Sequence, residues 1–104
     1  MAWFLVILAG VFEILFATAL KYCEGFTRFW PTVAAGVSLL ISMTLLSISV
    51  RSLPIGSAYA VWTGIGAAGT AILGVFLFGD SASPFRMIFL GCIVVGVLGL
   101  KAAS

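Results

Sequence analysis

The sequence predicts an all-α membrane protein of four transmembrane helices, and three observations carry that prediction. Of 104 residues, 63% are hydrophobic and 8% charged, whereas a soluble domain has about a quarter of its residues as Asp, Glu, Lys and Arg. There is too little polar surface to wrap a globule in water. The apolar residues fall into four blocks divided by short polar segments, and a span needs roughly 20 apolar residues to cross a hydrocarbon core of about 30 Å.

The first helix is expected over residues 2–21, interrupted only by Glu13, and ends at "KYCEGFTR". Its apolar run is too long for the core of a signal peptide, and no cationic segment or small-residue cleavage site sets it apart. The second, over 31–50, has no charge and stops at "RSLP". The third, over 55–78, is the longest, is also uncharged, and ends at "GDSASP". The fourth, over 84–101, is the shortest; Ser83 as N-cap and Pro84 in the first turn mark its start. The short connections make the helices alternate up and down, so residues 1–104 read as a single transmembrane domain.

Lys21, Arg28 and Arg86 then fall on one side of the bilayer, Arg51 and Lys101 on the other. Orientation follows an excess of Lys and Arg on the cytoplasmic side. Here the excess is almost nil: either something else fixes the topology, or both orientations insert and pair antiparallel.

The remaining composition excludes function classes. There is no His, and Cys23 and Cys92 lie far apart, so no metal-ligand cluster and no disulfide framework is expected. Cys23 reads as a loop thiol and Cys92 as a small packing residue. No nucleophile stands beside a base, so no enzyme is expected; five scattered basic residues make no nucleic-acid surface. No cofactor is expected either.

Glu13 is the feature that asks for a function. It lies about 15 Å along its helix from Trp3, near the bilayer midplane, and about 12 Å short of Lys21. It is too deep to reach the interface and too far from Lys21 to pair. A charged carboxylate facing lipid there costs several kcal/mol, so it must face a partner or a water-filled cavity. Gly10 and Ala17 flank it one turn either way and leave space.

Other residues share that depth. Tyr59 and Trp62 lie three apart on one face of the third helix, deeper than the interfacial anchors Trp3 and Trp30. That face continues to Gly66 and Gly69. The glycines Gly64, Gly66, Gly69 and Gly96 are read as close-packing or hinge positions. In the second helix Ser38, Ser42 and Ser49 share a stripe, with Ser42 at the depth of Glu13. Desolvation disfavours the charged form of any carboxyl group, and aromatic faces attract cations by about 0.5–2 kcal/mol. A buried carboxylate with aromatic walls therefore binds either a proton or a cation, which is the physical core of an antiporter. Four helices enclose a ligand poorly, so an oligomer is expected.

The stretches "AGVFEILFATALKY", "GFTRFWP", "LPIGSAYAVWTGIGAAG" and "GVLGLKAAS" resemble the small multidrug resistance family, and the resemblance runs over essentially the whole chain. It implies an antiparallel, dual-topology homodimer in the bacterial inner membrane, exchanging protons for a small cationic substrate. It assigns the central carboxylate to Glu13, the deep aromatics to Tyr59 and Trp62, the hydroxyl of helix two to Ser42, and the small residue beside the carboxylate to Gly10. "AYAVWTGIGAAG" looks closer to the guanidinium-exporter branch than to the quaternary-ammonium branch. The resemblance departs at Phe16, where that branch usually carries Trp. Phe keeps the ring face but lacks the indole N–H donor, which implies a looser site that also accepts guanylurea or alkylguanidines. Three other readings stay open on sequence: export of quaternary-ammonium drugs, one subunit of an unlike pair, and a non-transporting scaffold in which Glu13 joins helices.

Overall fold

Each apolar block folds as one continuous helix because a backbone in hydrocarbon must satisfy its own hydrogen bonds. In the computed structural model, which describes residues 2–103, the helices are α1 (Ala2–Tyr22), α2 (Phe29–Ser49), α3 (Ile55–Phe78) and α4 (Pro84–Ala103). All four are long and apolar enough to cross a membrane. The chain ends, residues 1 and 104, lie outside the described residues.

The ends differ from the sequence expectation by a residue or two, for local reasons. α1 continues to Tyr22, with Lys21 in its last turn, where a cation complements the helix dipole. α2 begins at Phe29 rather than 31 and ends at Ser49 rather than 50, since a proline fits within a first turn whose N–H groups have no helical partner. α4 runs on past Lys101 to Ala103. At its start the Ser83 hydroxyl accepts the Arg86 N–H at 3.3 Å. α3 ends at Gly79, whose φ of 68° is left-handed, a conformation that costs glycine little. The turn brings the Asp80 N–H back to the Gly74 carbonyl at 3.1 Å.

α1 is the centre of the packing, with α2 on one side and α3 on the other, and the α4 backbone approaches α3 alone. The Cα extents are 40 × 34 × 16 Å. The long dimension matches helices of this length, and the thin one is about that of two packed helices, whose Cα cylinders have a radius of about 2.3 Å and axes about 8–10 Å apart. α4 therefore lies beside α3 and closes the bundle against neither α1 nor α2 at the level of the backbone. Its small core gathers Val6, Ala9, Leu46, Ala58, Val61 and Trp62 where α1, α2 and α3 meet.

α4 contributes no buried residue to that core. Cys92, expected to pack, is accordingly exposed, and Cys23, expected as a loop thiol, is buried with its Sγ directed at the Leu20 carbonyl, 3.1 Å away. The chain turns sharply there, with left-handed Glu24, Gly25 and Phe26, and folds the thiol under α1.

Small residues set the helix spacing. An added Cβ at Gly10 would lie 2.6 Å from Ile65, and one at Gly69 would overlap Ile14, so both allow α1 against α3; Gly64 does the same for Val97 of α4. Gly96 was grouped with these glycines but has no neighbour within 4 Å of such a Cβ. Contact between α3 and α4 runs through Val97 and Ile93 at Gly64, and Gly96 lies off that stripe.

Candidate functional site

Glu13 sits midway along α1, about 16 Å from its start, with its side chain laid across the α3 backbone at Gly66. A Cβ at that glycine would fall 2.6 Å from Glu13 Cγ. Its Oε2 is buried and has no hydrogen-bond partner among the described residues. The reading in which Glu13 joins two helices by a hydrogen bond therefore finds no support within the chain. Burying an unsatisfied polar group costs on the order of 1–3 kcal/mol, a cost that no hydrogen bond among the described residues offsets.

The space beside it is an open cavity of about 480 Å³, between α1 and α3. Glu13 and Ala17 form the α1 wall; Tyr59, Trp62, Thr63, Gly66, Ala67, Thr70 and Ala71 form the α3 wall, and Asp80 lies at one end. The Tyr59 and Trp62 rings are tilted by 58° with centroids 5.3 Å apart. Trp62 is 8% exposed and Tyr59 55%, so one ring is fixed in the core and the other stands at the open side.

Trp62 is held by a chain of hydrogen bonds that crosses three helices. Its Nε1–H donates to Ser42 Oγ at 2.8 Å, and the Ser42 hydroxyl donates to the Ala9 carbonyl at 2.7 Å. A membrane serine commonly bonds back to its own helix, as Ser49 does to Leu46. Ser42 instead links α2 to α1 and orients an indole on α3.

Of the residues singled out on sequence, Glu13, Tyr59 and Trp62 meet in the cavity. Ser42 stands behind Trp62, one bond removed. Gly10 does not leave room beside the carboxylate, because Ile65 fills its space; the small residue on the cavity wall is Ala17. Phe16 is half-buried and not part of the lining. The α3 face was expected to run from Gly66 to Gly69, but Gly69 turns to Ile14 and the cavity wall continues through Thr70. Thr70 follows Gly66 by four residues, a spacing equally compatible with that face. Asp80 carries no such periodic signal, since only the turn at Gly79 returns it to the cavity.

Four apolar spans with a cavity that opens between two of them and carries carboxyl groups define a multi-pass membrane protein with a site inside its spans. Residues 1–93 match the family described as Small Multidrug Resistance protein, and the chain belongs to that family. It is 51% identical over 104 residues to a guanidinium exporter of Yersinia pseudotuberculosis, with both chains covered in full. It is 48% identical over 104 residues to guanidinium exporters of Citrobacter freundii and Salmonella typhimurium, covering all of this chain and 99% of theirs. The protein is thus a multi-pass transporter of the bacterial inner membrane and not an enzyme.

Proposed function

We propose that the chain exports guanidinium and small guanidinyl cations in exchange for protons, with Glu13 as the group that binds either one. The observation that carries this reading is the Glu13 carboxyl, unpartnered at mid-membrane in a cavity walled by Tyr59 and Trp62. The names of the relatives, each a guanidinium exporter, support the substrate class. A planar guanidinium offers a carboxylate two parallel N–H···O bonds and presents its face to an aromatic ring. A proton and a guanidinium compete for the same oxygens, so binding one releases the other. That competition couples the two fluxes.

A second copy, inserted antiparallel, would close the cavity. Support comes from the open side at Tyr59, the apolar α4 with no buried residue, and loop charges that are nearly balanced. An antiparallel homodimer would present each face of the membrane with an equivalent opening.

The test is transport current in proteoliposomes of the purified chain, given guanidinium, guanylurea and tetrapropylammonium in turn, with Glu13→Gln as the blank. Current with the two guanidinyl compounds, absent in the variant, is the expected result. Current with tetrapropylammonium as well would mean that Phe16 has widened selectivity. Silence with all three would contradict the reading for the chain acting alone.

A further inference from the structure

The wall of the cavity carries two polar groups that binding at Glu13 does not use. Thr70 lies one turn of α3 beyond Gly66, and Asp80 lies at the end of the cavity where α3 stops. Gly66 abuts Glu13, and a Cβ at Gly74 would overlap the Asp80 carboxylate. The step from residue 66 to 74 is about 12 Å along the helix, with Thr70 midway.

Thr70 departs from its class. Thr18, Thr27, Thr32, Thr44 and Thr63 each donate the hydroxyl to a backbone carbonyl three or four residues earlier. Thr70 Oγ1 is buried and unpartnered, as Glu13 Oε2 is. Asp80 is held by its backbone alone, through the N–H bond to Gly74, and forms no ion pair among the described residues. Arg86 donates to the Ser81 carbonyl at 2.6 Å, and Lys21 Nζ lies 5.7 Å from the centre of the Phe78 ring.

We propose that Asp80 and Thr70 form a second cation station in this cavity, at which a guanidinium-type cation docks near the membrane surface before it reaches Glu13. This rests on the reading of Glu13 given above. Asp80 supplies the charge that draws the cation from water. Thr70 supplies a hydroxyl oxygen that accepts an N–H at the halfway point, so the cation moves in two steps of about 6 Å between oxygen acceptors. The station takes small cations with N–H donors, since Thr70 offers a hydrogen-bond acceptor and no charge.

The experiment measures guanidinium current in proteoliposomes against concentration and ionic strength, for the wild-type chain, Asp80→Asn, Asp80→Glu, Thr70→Val and Glu13→Gln. Asp80→Asn keeps the backbone bond to Gly74. It is expected to raise the half-saturating guanidinium concentration roughly tenfold at low salt, more than it lowers the maximal current, and to remove most of the salt dependence. Asp80→Glu should restore both. If Asp80→Asn matches wild type in half-saturation and salt dependence while Glu13→Gln is silent, the station is wrong and the Glu13 reading stands. Should the Asp80→Asn protein fail to fold, the near-isosteric Thr70→Val decides: a raised half-saturation supports the station and an unchanged one overturns it. A wild-type chain that carries no guanidinium overturns the Glu13 reading and the station together.

Discussion

α3 holds two polar clusters that differ in how complete they are. Towards α2, Trp62, Ser42 and the Ala9 carbonyl form a closed chain of bonds of 2.8 and 2.7 Å, with Ser42 fully buried. Towards the cavity, Glu13 Oε2 and Thr70 Oγ1 are buried without partners. Inside a membrane an unsatisfied polar group costs several kcal/mol, so the two clusters cannot have the same role. The first joins three helices and fixes an aromatic ring. On the function proposed above, the second keeps its hydrogen-bonding capacity for a cation or proton that enters from outside the chain.

The largest test of that contrast is Glu13→Gln. It keeps the shape of the side chain and removes the charge, so guanidinium transport in proteoliposomes is expected to fall to background while helical content by circular dichroism stays at the wild-type level. Loss of both together would make Glu13 part of the scaffold and erase the distinction. Ser42→Ala probes the closed cluster. It leaves the Trp62 N–H buried without an acceptor, at a cost of about 1–3 kcal/mol. Part of that cost should appear as a weaker guanidinium affinity, by roughly tenfold or less, in a calorimetric titration. An unchanged affinity would mean that the orientation of Trp62 does not matter to binding.

A smaller effect is expected where the carboxylate meets α3. In Gly66→Ala the new methyl meets the Glu13 side chain at 2.6 Å, and crowding of this kind costs about 1–3 kcal/mol. The half-saturating guanidinium concentration should rise severalfold with the fold intact. Gly96→Ala is the smallest change within one protomer, because a Cβ there meets nothing within 4 Å. Thermal unfolding of the protein in detergent, followed over a range of protein concentrations, should match wild type. A marked destabilisation that depends on protein concentration would instead put a second copy against that face of α4.

What the sequence made legible follows from which forces are local. Apolar length alone defined the four spans, because a bilayer needs helices of about that length whatever they pack against. Glu13 stood out because a charge in hydrocarbon is costly and rarely kept for packing alone, and Tyr59 and Trp62 followed from depth and spacing. Properties that depend on a neighbouring helix were less legible. Gly10 looked like space for a ligand until Ile65 of α3 was seen to fill it. Ser42 had the right depth, but its partners Trp62 and Ala9 lie on two other helices. Cys92 is exposed because, among the described residues, the α4 backbone approaches only α3. Thr70 was one helical step from the predicted face, and Asp80 reached the cavity through a left-handed turn at Gly79 that no periodicity encodes.

The central claim is that one carboxyl group, Glu13, binds a proton and a guanidinium in alternation. Its most direct test is to add guanidinium to the purified chain in weakly buffered detergent near neutral pH and record the protons released as the cation binds. Proton release that saturates with guanidinium and disappears in Glu13→Gln is the predicted result. Guanidinium binding without proton release, or release that persists in Glu13→Gln, would contradict it.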